Sequence, residues 1–126
     1  MSKTISTLGF CAFAALLALP AYADAVQEIN TAAAHAGMAA GADTTKTLHF
    51  HIQHTLNCLE GKSGPDFNAG PGNPCDDMGN GAIPDSKPAD QKSLKEAVVK
   101  AKQALTEQDF EKGKNLAGDV QTLLSK

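Results

Sequence analysis

The chain has no arginine and no tryptophan, and its lysines are outnumbered by carboxylates. Residues 24–126 hold ten lysines against fourteen aspartates and glutamates. A nucleic-acid interface needs a basic face, and an anionic membrane surface attracts clusters of lysine and arginine. Neither partner is expected. Aromatic residues make up 5% of the chain, too few for a large aromatic core, and alanine fills the helical segments instead. No apolar run reaches the roughly 20 residues that a membrane-spanning helix needs. C-x-x-C-H, the attachment signal of a c-type haem, does not occur, nor do H-E-x-x-H or G-x-S-x-G. The serines of residues 24–126, Ser63, Ser86, Ser93 and Ser125, have no histidine near them in sequence. An enzyme is not expected.

What is present begins with an export signal. Lys3 supplies a positive start, residues 8–19 an apolar stretch, and Ala21-Tyr22-Ala23 a small-x-small cleavage site after Pro20. Residues 1–23 are therefore read as a signal peptide, and residues 24–126 as a single helical domain delivered to a periplasmic or extracellular space. Cys11 lies inside the apolar stretch. The remaining pair, Cys58 and Cys75, reads as one disulfide in an oxidising compartment, with a pair of thiolate metal ligands as the alternative.

Four helical patterns follow. In 25–41 Val26, Ile29, Ala33, Ala36 and Ala40 recur at helical spacing, with Asp24 at the N-cap position. In 44–60 Leu48, Ile52, Thr55, Leu56 and Leu59 form a stripe, capped by Asp43 or Thr44 and ended by Gly61. The spacing predicts a third helix over 89–105 and a fourth over 107–125, the latter opened by a capping box at Thr106–Asp109. Residues 61–88 are rich in glycine and proline and are read as one long loop without a helix. Its large apolar residues are Phe67 and Ile83. The expected fold is all-α: a small up-down four-helix bundle, with a disulfide-pinned loop between the second and third helices.

All four histidines, His35, His49, His51 and His54, fall in the first two helices. At about 100° per residue, His51, His54 and Cys58 share one flank of the second helix and His49 the other. His51 and His54, three residues apart, can share a metal ion. Two imidazoles are not a complete site, and His35 with Met38, also three apart, are the candidate completers if the first helix turns that face inward. Asp76, Asp77, Met78 and Asp85 of the loop are further candidates. Imidazole with thioether suits copper. The competing reading is that these histidines only pack at the edge of the apolar stripe. The acidic loop residues do not match an EF-hand and read as turn formers.

The run His51-Ile52-Gln53-His54-Thr55-Leu56-Asn57-Cys58-Leu59-Glu60-Gly61, with Asn73-Pro74-Cys75 and Gly79-Asn80-Gly81-Ala82-Ile83, resembles a group of small exported bacterial proteins without an assigned function. The alanine-rich helices with histidines are similar to small periplasmic metal-binding four-helix proteins, which are much richer in histidine and lack the cysteine-bearing loop. That resemblance implies binding of copper or another transition metal by His51, His54 and His35. The expected function is metal buffering or delivery. The alternatives are a protein-interaction module presenting Phe67 and Ile83 to a periplasmic partner, and a bundle holding non-covalent haem.

Overall fold

The computed structural model describes residues 22–126; of the signal-peptide reading on residues 1–23, residues 1–21 lie outside the described part. The described residues form five helices and no strand: α1 (Tyr22–Ala40), α2 (Thr45–Glu60), α3 (Ala82–Asp85), α4 (Gln91–Thr106) and α5 (Phe110–Leu124). The four long helices close a ring of contacts, α2 against α1, α1 against α5, α5 against α4 and α4 against α2. No described helix is long and apolar enough to cross a membrane.

The core has two textures. From α2 come the large side chains, with Leu48, Ile52, Leu56 and Leu59 essentially inaccessible, each stabilising the fold by roughly 1.5–3 kcal/mol on burial. Ala32, Ala36 and Ala39 of α1, Ala97, Ala101 and Ala104 of α4 and Ala117 of α5 are buried around them. Short side chains let these helices approach closely. Gly113 of α5 has its own reason: a Cβ there would sit 3.2 Å from Leu48 Cδ1. The glycine that weakens α5 as an isolated helix makes room for the largest residue type in the core.

Three expectations need correction. The buried face of α1 runs through Ala25, Glu28, Ala32, Ala36 and Ala39, while Val26 is 57% exposed. The stripe is thus displaced by about one residue, because a run of alanines gives no strong phase. Thr106 ends α4, and the N-cap of α5 is Asp109, whose carboxylate accepts from the Lys112 N–H. Aspartate at that position outcompetes the Thr106 box because it meets the backbone directly. Residues 61–88 are not wholly irregular, since Ala82–Asp85 makes one helical turn with Pro84 inside its first turn, where a missing N–H costs nothing. The N-cap of α2 is Thr44, accepting from the Thr47 N–H at 3.1 Å.

The loop is held along its length. Cys58 and Cys75 are disulfide-bonded, with Cα atoms 5.2 Å apart. Asn57, fully buried on α2, uses its whole side chain on the loop and its own helix. Its Nδ2 donates to the carbonyls of Asn68 and Gly72 at 2.7 Å each, and its Oδ1 accepts from Asn68 N–H and Gln53 Nε2 at 3.0 Å. Lys102 of α4 reaches Asp66 at 2.8 Å. Ile83 packs in part against the core and Phe67 is half-buried.

Candidate metal centre

Turning the α1 face by one residue brings His35 to the boundary with α2. There it meets His51 and His54, which α2 carries one turn apart on the flank covered by the loop. His35 Nδ1 lies 3.1 Å from His51 Nδ1 and 3.4 Å from His54 Nδ1. The three imidazoles can each offer one nitrogen within 4.8 Å of the other two. His54 is 8% exposed and the other two are half-buried.

The nitrogen separations match a metal polyhedron. A tetrahedral ion with bonds of about 2.0–2.1 Å holds its nitrogen ligands about 3.3 Å apart. One Nδ1–H donating to a neighbouring lone pair accounts for one of the two short contacts to His35 Nδ1, and an ion could be held at both.

The loop decides which nitrogen of His54 faces the cluster. His54 Nε2 is 2.9 Å from the carbonyl oxygen of Pro71. A carbonyl only accepts, so Nε2 carries the proton and Nδ1 of a neutral ring presents its lone pair. Metal-bound histidines are held by such an outer hydrogen bond, which sets tautomer and ring orientation. Burial holds the His35 pKa down to about 4, with the neighbouring His54 and His51 adding to the effect. Burial, then His54, also lowers that of His51. Both shifts favour the neutral rings, the form in which an imidazole can ligate a metal.

Phe50 covers one side. Its ring centroid is 4.3 Å from that of His54 and 5.3 Å from that of His51, and 43% of it remains exposed. Met38, three residues beyond His35, is 51% exposed. Of the other sequence candidates, Asp76 pairs with Lys62 at 2.6 Å, Met78 Sδ accepts from Thr31 at 3.6 Å, and Asp85 binds Asn80. These three are engaged away from the triad. His49 is half-buried with an Nε2 that meets no partner, and it is not in the cluster.

Helical periodicity was enough to group His51, His54 and Cys58. Pro71 and Asn57 carry no comparable signal, since the first acts through its backbone carbonyl and the second through bonds to loop backbone. Phe50 is recognisable only as an aromatic between two histidines. Comparison with family models, curated proteins and solved structures gives no match.

Proposed function

We propose that the protein binds one transition-metal ion through Nδ1 of His35, His51 and His54, and that it buffers or delivers that ion in an exported, oxidising compartment. The observation that carries this reading is the pair of Nδ1 separations, 3.1 and 3.4 Å, at the edge length of a tetrahedral site. The scaffold we infer is an up-down four-helix bundle. The ion we favour is copper. Imidazole suits zinc, nickel, iron and copper alike, and the affinity order for such a donor set places Cu(II) at the top. Three protein ligands leave a position open to solvent or to a receiving ligand, the arrangement that exchange requires.

The haem alternative is not favoured, because nitrogens already this close leave no room for a macrocycle between the rings. The interaction-module alternative is less favoured, because Ile83 is partly packed against the core and Phe67 is half-buried.

The test is titration of the exported, processed protein, without a histidine tag, against Cu(I), Cu(II), Zn(II) and Ni(II). One ion per chain is expected, tighter than about micromolar, which corresponds to about −8 kcal/mol. Binding should vanish in the His51→Ala/His54→Ala double variant with the helical spectrum unchanged. Equal binding by that variant would defeat the reading. Met38→Leu decides the thioether: loss of Cu(I) affinity with Zn(II) affinity retained assigns Met38 to the open position, and no change leaves that position to solvent.

A further inference from the structure

A second polar site lies about the loop on the far side of Asn57, and it is independent of the histidines. Glu28 of α1 is fully buried. Its Oε1 accepts from the Gly81 N–H at 2.8 Å, and its Oε2 meets no partner. A buried carboxylate oxygen without a partner costs free energy that something must offset. Among the cavities, one of about 330 Å³ is lined by Glu28 together with Asp76, Asn73, Asn80 and Lys62.

Apart from Lys62, the charged residues around Glu28 are acidic. A Cβ placed on Gly79 would run into the carboxylate of Asp85, itself 7% exposed, with Glu28 Oε1 3.0 Å and Asp24 Cβ 3.1 Å away. Asp85 is satisfied by Asn80, through the backbone N–H at 2.7 Å and Nδ2 at 3.0 Å. Lys62, the cation on the cavity wall, is taken by Asp76 Oδ1 at 2.6 Å. The side-chain oxygens of Asn57 and Asn73 accept from backbone N–H groups. Of the residues on the cavity wall, Glu28 has a buried side-chain oxygen that meets no partner, and the Cys75 sulfur is taken by the disulfide.

We propose that this cavity is a site for a hard divalent cation, calcium or magnesium, held by Glu28 Oε2 and the free oxygen of Asp76 and completed by water. Such ions take oxygen ligands, and they bind through one or two carboxylates while keeping several waters. The cavity has room for an ion and its water shell, at about 30 Å³ per water. The ion joins α1 to the loop beside the disulfide, whose Cys75 is also on the cavity wall.

The experiment is calorimetric titration of the processed wild-type protein with CaCl2 and with MgCl2, alongside melting temperature at each concentration. One saturable site per chain is expected, in the range of about 10⁻⁴–10⁻³ M typical of extracellular modules, with the melting temperature rising as the site fills. Preference between the two salts tells which ion the cavity fits. Glu28→Gln is expected to weaken binding at least tenfold, and its fold is checked by its undiminished Zn(II) titration or, should the histidine site bind nothing, by its helical spectrum. If Glu28→Gln does not fold, Asp76→Asn, at an exposed residue, is expected to weaken binding several-fold. No saturable binding of either ion up to about ten times that range, or equal binding by the folded variants, overturns the proposal and leaves Glu28 to a proton or a water. Neither result bears on the histidine triad, which hard cations do not use.

Discussion

The Nε2 of His54 and the carbonyl oxygen of Pro71 are 2.9 Å apart, and this contact ties the chemistry of a helix to the path of a loop. The ring is held with Nδ1 towards His35, so the loop orients a ligand without supplying one. The consequence is measurable in the metal-free protein. Nitrogen NMR of the apo protein should show His54 as the Nε2–H tautomer, and His35 should stay neutral until about pH 4, the value to which burial brings it. A His54 ring protonated on Nδ1, or a His35 that titrates near its ordinary 6.5, would mean that the rings are not arranged as described.

Because the loop is held by the disulfide as well as by Asn57, cutting the disulfide should reach the metal site. Reduction, or Cys58→Ser with Cys75→Ser, is expected to destabilise the fold by about 3 kcal/mol, the chain-entropy value for a loop of this size. Metal affinity should also fall, by up to the roughly 10–100-fold that loss of an outer hydrogen bond costs. Chemical denaturation and a metal titration of the same variant check both. An affinity unchanged in the folded variant would show that Asn57, with its bonds to Asn68 and Gly72, holds Pro71 in place alone.

Removing single imidazoles should separate the triad from its neighbour. His35→Ala, His51→Ala and His54→Ala are each expected to weaken binding by more than the loss of an outer partner does, beyond about 100-fold. His49→Ala should leave it unchanged. His49 is the control because it shares α2 and differs only in the direction it faces. Parallel loss in all four variants would point to adventitious binding by surface histidines.

The difference between α1 and α2 shows what was legible in the sequence. In α2, leucines and isoleucine set a phase that alanine cannot blur, so the flank bearing His51, His54 and Cys58 follows from 100° steps alone. The cysteine pair in an export context likewise indicated the bridge. In α1 nearly every position is small, and the apolar stripe could be drawn through Ala33 and Ala40 as readily as through Ala32 and Ala39. That ambiguity of one residue decides whether His35 faces solvent or the triad. Glu28 was the signal that could have resolved it, a charged residue in register with Ala32, Ala36 and Ala39, but a charge inside a buried stripe reads as a contradiction until the loop that receives it is seen. Beyond its tether at Cys75, the course of the loop was not legible, because Asn57 and Glu28 bind its backbone groups, which carry no side-chain signal.

Glu28 should give the fold an unusual pH dependence. Burial raises its pKa from 4.5 to about 7, with Asp85 and Asp24 adding to the rise and the Gly81 N–H opposing it. The folded protein therefore holds a proton that the unfolded chain releases between about pH 4.5 and 7. Stability from this group is fully present below the lower value and is lost as pH rises through the upper one. His35 acts in the opposite sense, since its depressed pKa makes the unfolded chain take up a proton first as pH falls from 6.5 towards 4. The two partly cancel in the wild type, so the comparison belongs between variants. Urea midpoints at pH 5 and pH 8 should show Glu28→Gln gaining on the wild type at the higher pH, by an amount on the order of 1–3 kcal/mol. With Glu28 replaced, the lowered His35 and His51 should tilt stability upward from pH 5 to pH 8, with the raised Glu60 opposing them. If the wild type and Glu28→Gln change in parallel, Glu28 is ionised at both values and its Oε2 has a permanent partner. Repeating the pair with calcium present then tells whether that partner is a cation, because an ion that displaces the proton should flatten the wild-type contribution of Glu28 and leave the variant unmoved.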